Sequence, residues 1–227
     1  MSDERITRLE ALFNPKSIAL VGASSKPQTV GNDLLRNLLF TEFNGPVYPI
    51  NPKAEAVLGV PCYKSLRDLP KPVDLAVVVV PAAAVLDVVE DARVTGVKSM
   101  VLLSAGFKET GREGAALEIK LRDAVRAAGI PLIGPNCLGY INTDPTIRLN
   151  ATFARKMPAP GNLAFISQSG ALCTSVLDYA EERRMGFSKF VSFGNKADVN
   201  EIDLLSYLAK DDKTRVIAMY LEDVTNG

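Results

Sequence analysis

The run Leu75-Ala76-Val77-Val78-Val79-Val80 constrains the architecture of this 227-residue chain more than any other stretch. Lying between Asp74 and Pro81, it lacks the alternation of a strand with one wet face, and it reads as a central parallel strand buried on both sides. Parallel neighbours need crossover helices, and the chain supplies strands at 17–21, 47–50, 99–103 and 131–133 with helices at 29–40, 82–95 and 110–128 between them. Gly96 and Gly129 stand where helix C-caps are expected. This alternation over the first 140 residues predicts an α/β Rossmann-like domain. Ahead of it, Leu9, Leu12 and Phe13 fall at helical spacing before Asn14-Pro15, predicting a short helix over 1–13 that lies as a lid on the sheet edge.

Ligands of open α/β sheets collect at the C-terminal ends of the strands. The first such end is Val21-Gly22-Ala23-Ser24-Ser25, followed by the amphipathic run that begins near Val30. Small residues there let phosphates approach free backbone N–H groups and the positive end of a helix dipole. The plainer reading is a tight βα turn with no ligand, because Gly22 and Gly31 alone stand for a full G-x-G-x-x-G. The second strand ends at Asn51-Pro52-Lys53. NAD-binding folds usually offer an acid there, whereas a cation suits a phosphorylated ribose, as in coenzyme A or NADP. A solvated surface lysine is the ordinary alternative.

Lysine plus arginine and aspartate plus glutamate number 26 each, so no net field draws the chain to nucleic acid or an anionic membrane. The N-terminus lacks the order of a signal peptide and no apolar run approaches the ~18 residues of a membrane span; a cytoplasmic protein is expected. Cys62, Cys137 and Cys173 read as reduced thiols. The chain has no histidine, which removes Ser-His-Asp catalysis, the usual zinc sites and any phosphohistidine from this polypeptide by itself.

Residues 142–160, with Asp144-Pro145, Pro158 and Pro160 and with Gly161 directly after them, read as a linker that can fold back over the sheet. A second set of β/α units follows: strands near 162–166, 187–193 and 215–221, with helices at 170–184 and 199–209. At Ser167-Gln168-Ser169-Gly170-Ala171 small and hydroxyl residues again sit where a strand turns into a helix. This suits a second anion site or, equally, a helix N-cap. The last strand has no helix after it to cover its face, which predicts that the chain is an N-terminal piece of a longer protein. The uncovered face is expected either to self-associate or to exchange amide hydrogens faster than residues 17–133.

With Val21-Gly22-Ala23-Ser24, Asn51-Pro52-Lys53, Ser104-Ala105-Gly106-Phe107, Gly134-Pro135-Asn136-Cys137-Leu138-Gly139, Ser167-Gln168-Ser169-Gly170-Ala171 and Gly194-Asn195-Lys196-Ala197-Asp198 in this order, nearly the whole chain resembles the α part of NDP-forming acyl-CoA synthetases. These are the ADP-forming acetyl-CoA synthetases and, more distantly, succinyl-CoA synthetase. The resemblance implies a CoA-binding domain over 1–141, a linker over 142–160 and part of a flavodoxin-like ligase domain over 161–227. It assigns coenzyme A to Gly22, Ala23, Ser24, Ser25 and Lys53, with Pro81 beside them. Ser104, Ala105 and Gly106 would line the pantetheine path, and Asn136 would face the thiol end. Ser167, Ser169, Gly170 and Ala171 would face a phosphorylated histidine outside this chain, which Glu222 would orient.

The activity implied is reversible ATP formation from an acyl-CoA, phosphate and ADP. ATP, ADP and Mg would enter through an ATP-grasp-type β domain or subunit, in an oligomer. Alternatives are a non-catalytic CoA-sensing module, as in a fusion to a protein acetyltransferase, an NADP-binding oxidoreductase domain, or an interaction scaffold. No Tyr-x-x-x-Lys pair supports the oxidoreductase.

Overall fold

The computed structural model describes residues 3–154 and 156–224; Met1, Ser2, Arg155 and 225–227, which the expected helix and domain ranges included, lie outside it. Helix α1 (Asp3–Phe13) leads into β1 (Ile18–Val21), α2 (Val30–Phe40) and β2 (Val47–Ile50). A small hairpin, β3 (Ala56–Val57) with β4 (Val60–Pro61), precedes β5 (Leu75–Val78), α3 (Val85–Thr95), β6 (Ser99–Leu102), α4 (Arg112–Ala128) and β7 (Leu132–Ile133). These strands form a wholly parallel sheet in the order β2-β1-β5-β6-β7. Its central strand, Leu75 to Val78, is fully buried, as the unbroken apolar run predicts. Gly96 and Gly129 close α3 and α4 in the left-handed conformation.

The second sheet has the order β12-β10-β11-β8-β9. Its members are β8 (Gly139–Asn142), β9 (Leu149–Thr152), β10 (Ala159–Ser167), β11 (Gly186–Ser192) and β12 (Val216–Tyr220), with α5 (Gly170–Glu182) and α6 (Glu201–Leu208) between the parallel strands. The expected linker over 142–160 is therefore a correction. It is built into the second sheet: β9 pairs antiparallel with β8, β8 pairs antiparallel with β11, and β10 already begins at Ala159. Pro160 and Gly161 are accommodated where β10 is irregular, with register shifts from Pro160 to Ala164, and Pro145 lies in the turn between β8 and β9. The hairpin is also fastened to the first sheet's helices, since Asn37 Nδ2 on α2 donates to the carbonyls of Thr152 and Ala154, both at 2.7 Å.

Helix α1 is a second correction. It is a wedge between the two sheets rather than a lid on an edge, because its apolar residues find partners from both. Phe13 stacks on Tyr207 of α6 and meets Tyr140 of β8 edge-on, with centroids 4.6 and 5.2 Å apart. Tyr140 Oη donates to the Leu12 carbonyl, and Ser99 Oγ on β6 donates to that of Ala11. Leu9, Leu12, Ile18, Val101, Tyr140, Ile166, Phe193 and Leu204 consequently belong to one buried cluster that draws on both sheets. β12 lies at the sheet edge, where Val216, Met219 and Tyr220 are exposed while Ile217 and Leu221 pack on the shared core.

Candidate functional site

The β1–α2 turn is held by close approach. Gly22 has φ +98°, and a Cβ there would sit 2.3 Å from the Val79 carbonyl oxygen. A Cβ on Gly31, in the first turn of α2, would lie 2.1 Å from the Gly22 carbonyl oxygen. Both glycines serve backbone packing, which draws the start of α2 onto the end of β1. The sequence reading expected free amides at Gly22 and Ala23 for phosphate, and the structure corrects this, because the last carbonyl of β2 captures both: they donate to Ile50 at 3.0 and 3.2 Å. The open donors move one step along, to the amides of Ser24 and Ser25, which have no partner among the described residues. Ser24 is shaped by its neighbours, its Oγ accepting from the Lys26 amide and its carbonyl from Asn32 Nδ2.

Asn51 fastens the second strand end to this turn. Its Nδ2 donates to the Ala23 carbonyl at 2.7 Å and its Oδ1 accepts from the Lys53 amide at 2.8 Å, which fixes the backbone from which Lys53 projects. Between these segments opens a cleft of about 450 Å³ lined by Gly22, Ala23, Ser24, Lys53 and Pro81, together with Val80 and Val88. Ser25 is exposed just outside the lining. The structure adds Lys64 and Ser65. Their placement comes from pairing: Tyr63 bridges to Ile50 beyond the edge strand, its amide donating to Pro49 and its carbonyl accepting from Asn51.

From Pro81 the strand ends continue across the sheet. Ser104 Oγ donates to the Val80 carbonyl at 2.5 Å, so the Ser104-Ala105-Gly106 loop adjoins the cleft without lining it. Glu109 braces that loop, its Oε1 accepting from the Gly106 and Phe107 amides at 2.6 and 3.0 Å. Burial would raise the Glu109 pKa, but these amides and the Asn195 side chain outweigh it and hold the carboxyl below its ordinary value. The Asn136 amide donates to the Ser104 carbonyl at 3.0 Å, which places Asn136 next along the same row.

The row then crosses into the second sheet. Asn195 after β11 donates to Glu109 Oε2 and Glu118 Oε2 at 2.6 and 2.8 Å, and its amide donates to the Pro135 carbonyl. A Cβ on Gly194 would be 2.3 Å from the Asn136 carbonyl oxygen, so only glycine lets these loops touch. A Cβ on Gly170, at the start of α5, would be 4.0 Å from the Leu138 amide. Ser169 is an N-cap, its Oγ accepting from the Leu172 amide at 3.3 Å, and Ser167 Oγ bonds both the amide and the carbonyl of Ser169. The N-cap alternative is thus observed, yet the amides of Gly170 and Ala171 in the first turn have no partner within the helix.

Glu222 is exposed after β12, its amide donating to Gln168 Oε1 at 2.7 Å. Its neighbour Asp223 meets Lys196 Nζ at 2.8 Å, and Lys196 also bonds Glu201 at 3.1 Å. The Lys196 ammonium holds the Asp223 carboxyl below its ordinary pKa. Lys196, whose side chain is nearly fully buried, has φ +49°; it stands inside a motif visible in the sequence, but its tie to Asp223 needs the fold. Cys137 and Cys173 are buried, and burial pushes their thiols up to about 12 and about 11, which suits inert packing groups.

A larger cavity, about 800 Å³, lies between α5 and residues 153, 154 and 156–159, lined by Phe153, Met157, Leu177 and Met185. It contains none of the candidate residues, and the smaller cleft, with its glycine turn and lysines, is the better match to phosphate chemistry.

A family model described as a CoA binding domain matches residues 16–143, more than half of the chain. The chain belongs to this CoA-binding family. A second model, a succinyl-CoA ligase like flavodoxin domain, matches residues 160–227. The CoA-binding chain is 49% identical to acetate–CoA ligase (ADP-forming) I of Archaeoglobus fulgidus, over 96% of this chain and 31% of that protein. It is 42% identical to the α subunit of acetate–CoA ligase (ADP-forming) II of Pyrococcus furiosus, over 96% of this chain and 47% of that one. Among solved structures, acetyl-coenzyme A synthetase 1 of Ca. Korarchaeum cryptofilum, in complex with phosphate and ADP, superposes with a TM-score of 0.91 at 46% identity. That match covers 96% of this chain and 46% of the other. The chain spans less than half the length of each of these relatives. No helix among the described residues is long and apolar enough to cross a membrane.

Proposed function

We propose that this chain is the CoA-binding portion of an NDP-forming acyl-CoA synthetase, which converts acyl-CoA, phosphate and ADP into the free acid, CoA and ATP. The single observation that carries the reading is the unbroken row of strand-end loops, from the lysine-bearing cleft at Gly22–Ser24 to the Asn136 loop and on to the start of α5. In this reading the amides of Ser24 and Ser25 hold the pyrophosphate, and Lys53 pairs with the ribose phosphate. Pro81 and the Ser104-Ala105-Gly106 loop line the pantetheine path, and Asn136 stands at the thiol end. The first turn of α5, with Ser167, Ser169, Gly170 and Ala171, faces a phosphoryl group carried by a histidine outside these residues, and Glu222 orients that histidine. ADP, ATP and Mg belong to a nucleotide-binding β domain or subunit, in an oligomeric assembly.

The open amides of Ser24 and Ser25 in the turn before α2, beside Lys53 in the cleft lining, support the fit to a phosphorylated coenzyme. Calorimetry of the chain with CoA and NAD tests the proposal. Saturable binding of CoA, tighter than NAD, is expected. NAD binding tighter than CoA would overturn it.

A further inference from the structure

Lys53 and Lys64 reach the cleft from the same side. Lys53 follows the edge strand β2, and Lys64 follows Tyr63, which bridges to Ile50 beyond that strand. Neither lysine has a carboxylate within ion-pair distance among the described residues. The one acid in the cleft lining, Asp91, is neutralised by Arg67 Nε at 2.5 Å. The backbone on either side of Lys64 is pinned. Tyr63 is held by Pro49 and Asn51, and Ser65 is held by Asp68, whose Oδ2 accepts from the Ser65 amide at 2.9 Å and hydroxyl at 2.8 Å. A chain segment ordered from both sides around a cation with no internal partner leaves that cation for an external anion.

We infer that Lys64 is a second cation for the ribose phosphate, acting with Lys53 as a two-lysine clamp, so that the segment after the β3–β4 hairpin makes the cleft selective for coenzyme A over dephospho-coenzyme A. This rests on the coenzyme A reading above. The sheet order sets the direction of the ligand: the phosphorylated ribose at the β2 edge, the pyrophosphate at the β1 turn, and the pantetheine running past β5 and β6.

The test is calorimetry with CoA, dephospho-CoA and NADP on the wild-type chain and on Lys64→Ala and Lys64→Arg. Lys64→Ala is expected to weaken CoA about fivefold, the upper range for an exposed charge contact, and dephospho-CoA by less than about twofold, within the noise of a surface change. Lys64→Arg, which keeps the charge, is expected to retain the preference for CoA. Equal losses for CoA and dephospho-CoA, or no loss for CoA, would overturn the inference while leaving the coenzyme A reading intact. Wild-type binding of NADP in preference to CoA would instead overturn the coenzyme reading itself. Thermal melting of Lys64→Ala at the wild-type midpoint separates a binding defect from a folding one; should its midpoint fall, Lys64→Arg alone decides, and loss of its preference for CoA overturns the inference.

Discussion

Gly22→Ala probes the turn at its tightest point. The new Cβ would lie 2.3 Å from the Val79 carbonyl oxygen and 2.9 Å from its carbon, both of them backbone atoms that cannot rotate away. Val79 is in turn anchored, its amide donating to the Val21 carbonyl at 2.8 Å. Placing a Cβ at φ +98° costs about 1–3 kcal/mol in backbone strain. Displacing the turn from Val79 adds about 1–3 kcal/mol, typical of overpacking. The combined loss of roughly 2–6 kcal/mol corresponds to a fall in melting temperature of about 4–24 °C for a chain of this size. Thermal melting followed by circular dichroism reads the loss, and CoA titration below the transition reads the displaced Ser24 and Ser25 amides as weaker affinity. A variant with wild-type melting and wild-type affinity would refute the close-approach reasoning.

Lys53→Ala is expected to weaken CoA about 10- to 100-fold, the value of a charge-assisted hydrogen bond, with little effect on dephospho-CoA; calorimetry with the pair of ligands checks it. Phe13→Ala, in the wedge between the sheets, is expected to cost about 3–5 kcal/mol and to shift one cooperative denaturant transition, whereas two separate transitions with one unmoved would argue against a shared core. Acidification should loosen the clamp between Glu109 and Asn195. Because the folded Glu109 carboxyl titrates below its unfolded value, its contribution is present above the unfolded pKa and is lost as pH falls through the lower folded one. The protection of amides at 104–110 and 194–196, taken relative to the intrinsic exchange rate at each pH, should therefore fall on acidification in the wild type, and should be lower and less pH-dependent in Glu109→Gln.

The first sheet was readable because its signals are local: an unbroken valine run, glycines at helix ends, and small residues after the first strand. The cleft was readable for the same reason at Gly22–Ser24 and Lys53. Lys64 was not, since its place depends on Tyr63 bridging to Ile50, a pairing with no periodicity to announce it. Residues 142–160 misled because prolines, and the Gly161 that follows them, mark turns and irregular strands as readily as linkers, and β8 and β9 are only four residues each. Helix α1 carried the right spacing at Leu9, Leu12 and Phe13, but its partners Tyr140 and Tyr207 lie more than a hundred residues away. The capture of the Gly22 and Ala23 amides by Ile50 likewise depends on strand register, which spacing alone does not specify.

The central claim is that coenzyme A lies along the strand ends with its thiol directed at the Asn136 loop. Amide chemical shifts of the isotope-labelled chain, followed during titration with CoA and then with dephospho-CoA, test it most directly. The account predicts saturable changes at Ser24, Ser25, Lys53, Ala105 and Asn136 with CoA, and a loss confined to the Lys53 and Lys64 region when the ribose phosphate is absent. Changes centred instead on Phe153, Leu177 and Met185, the lining of the larger cavity, would contradict it.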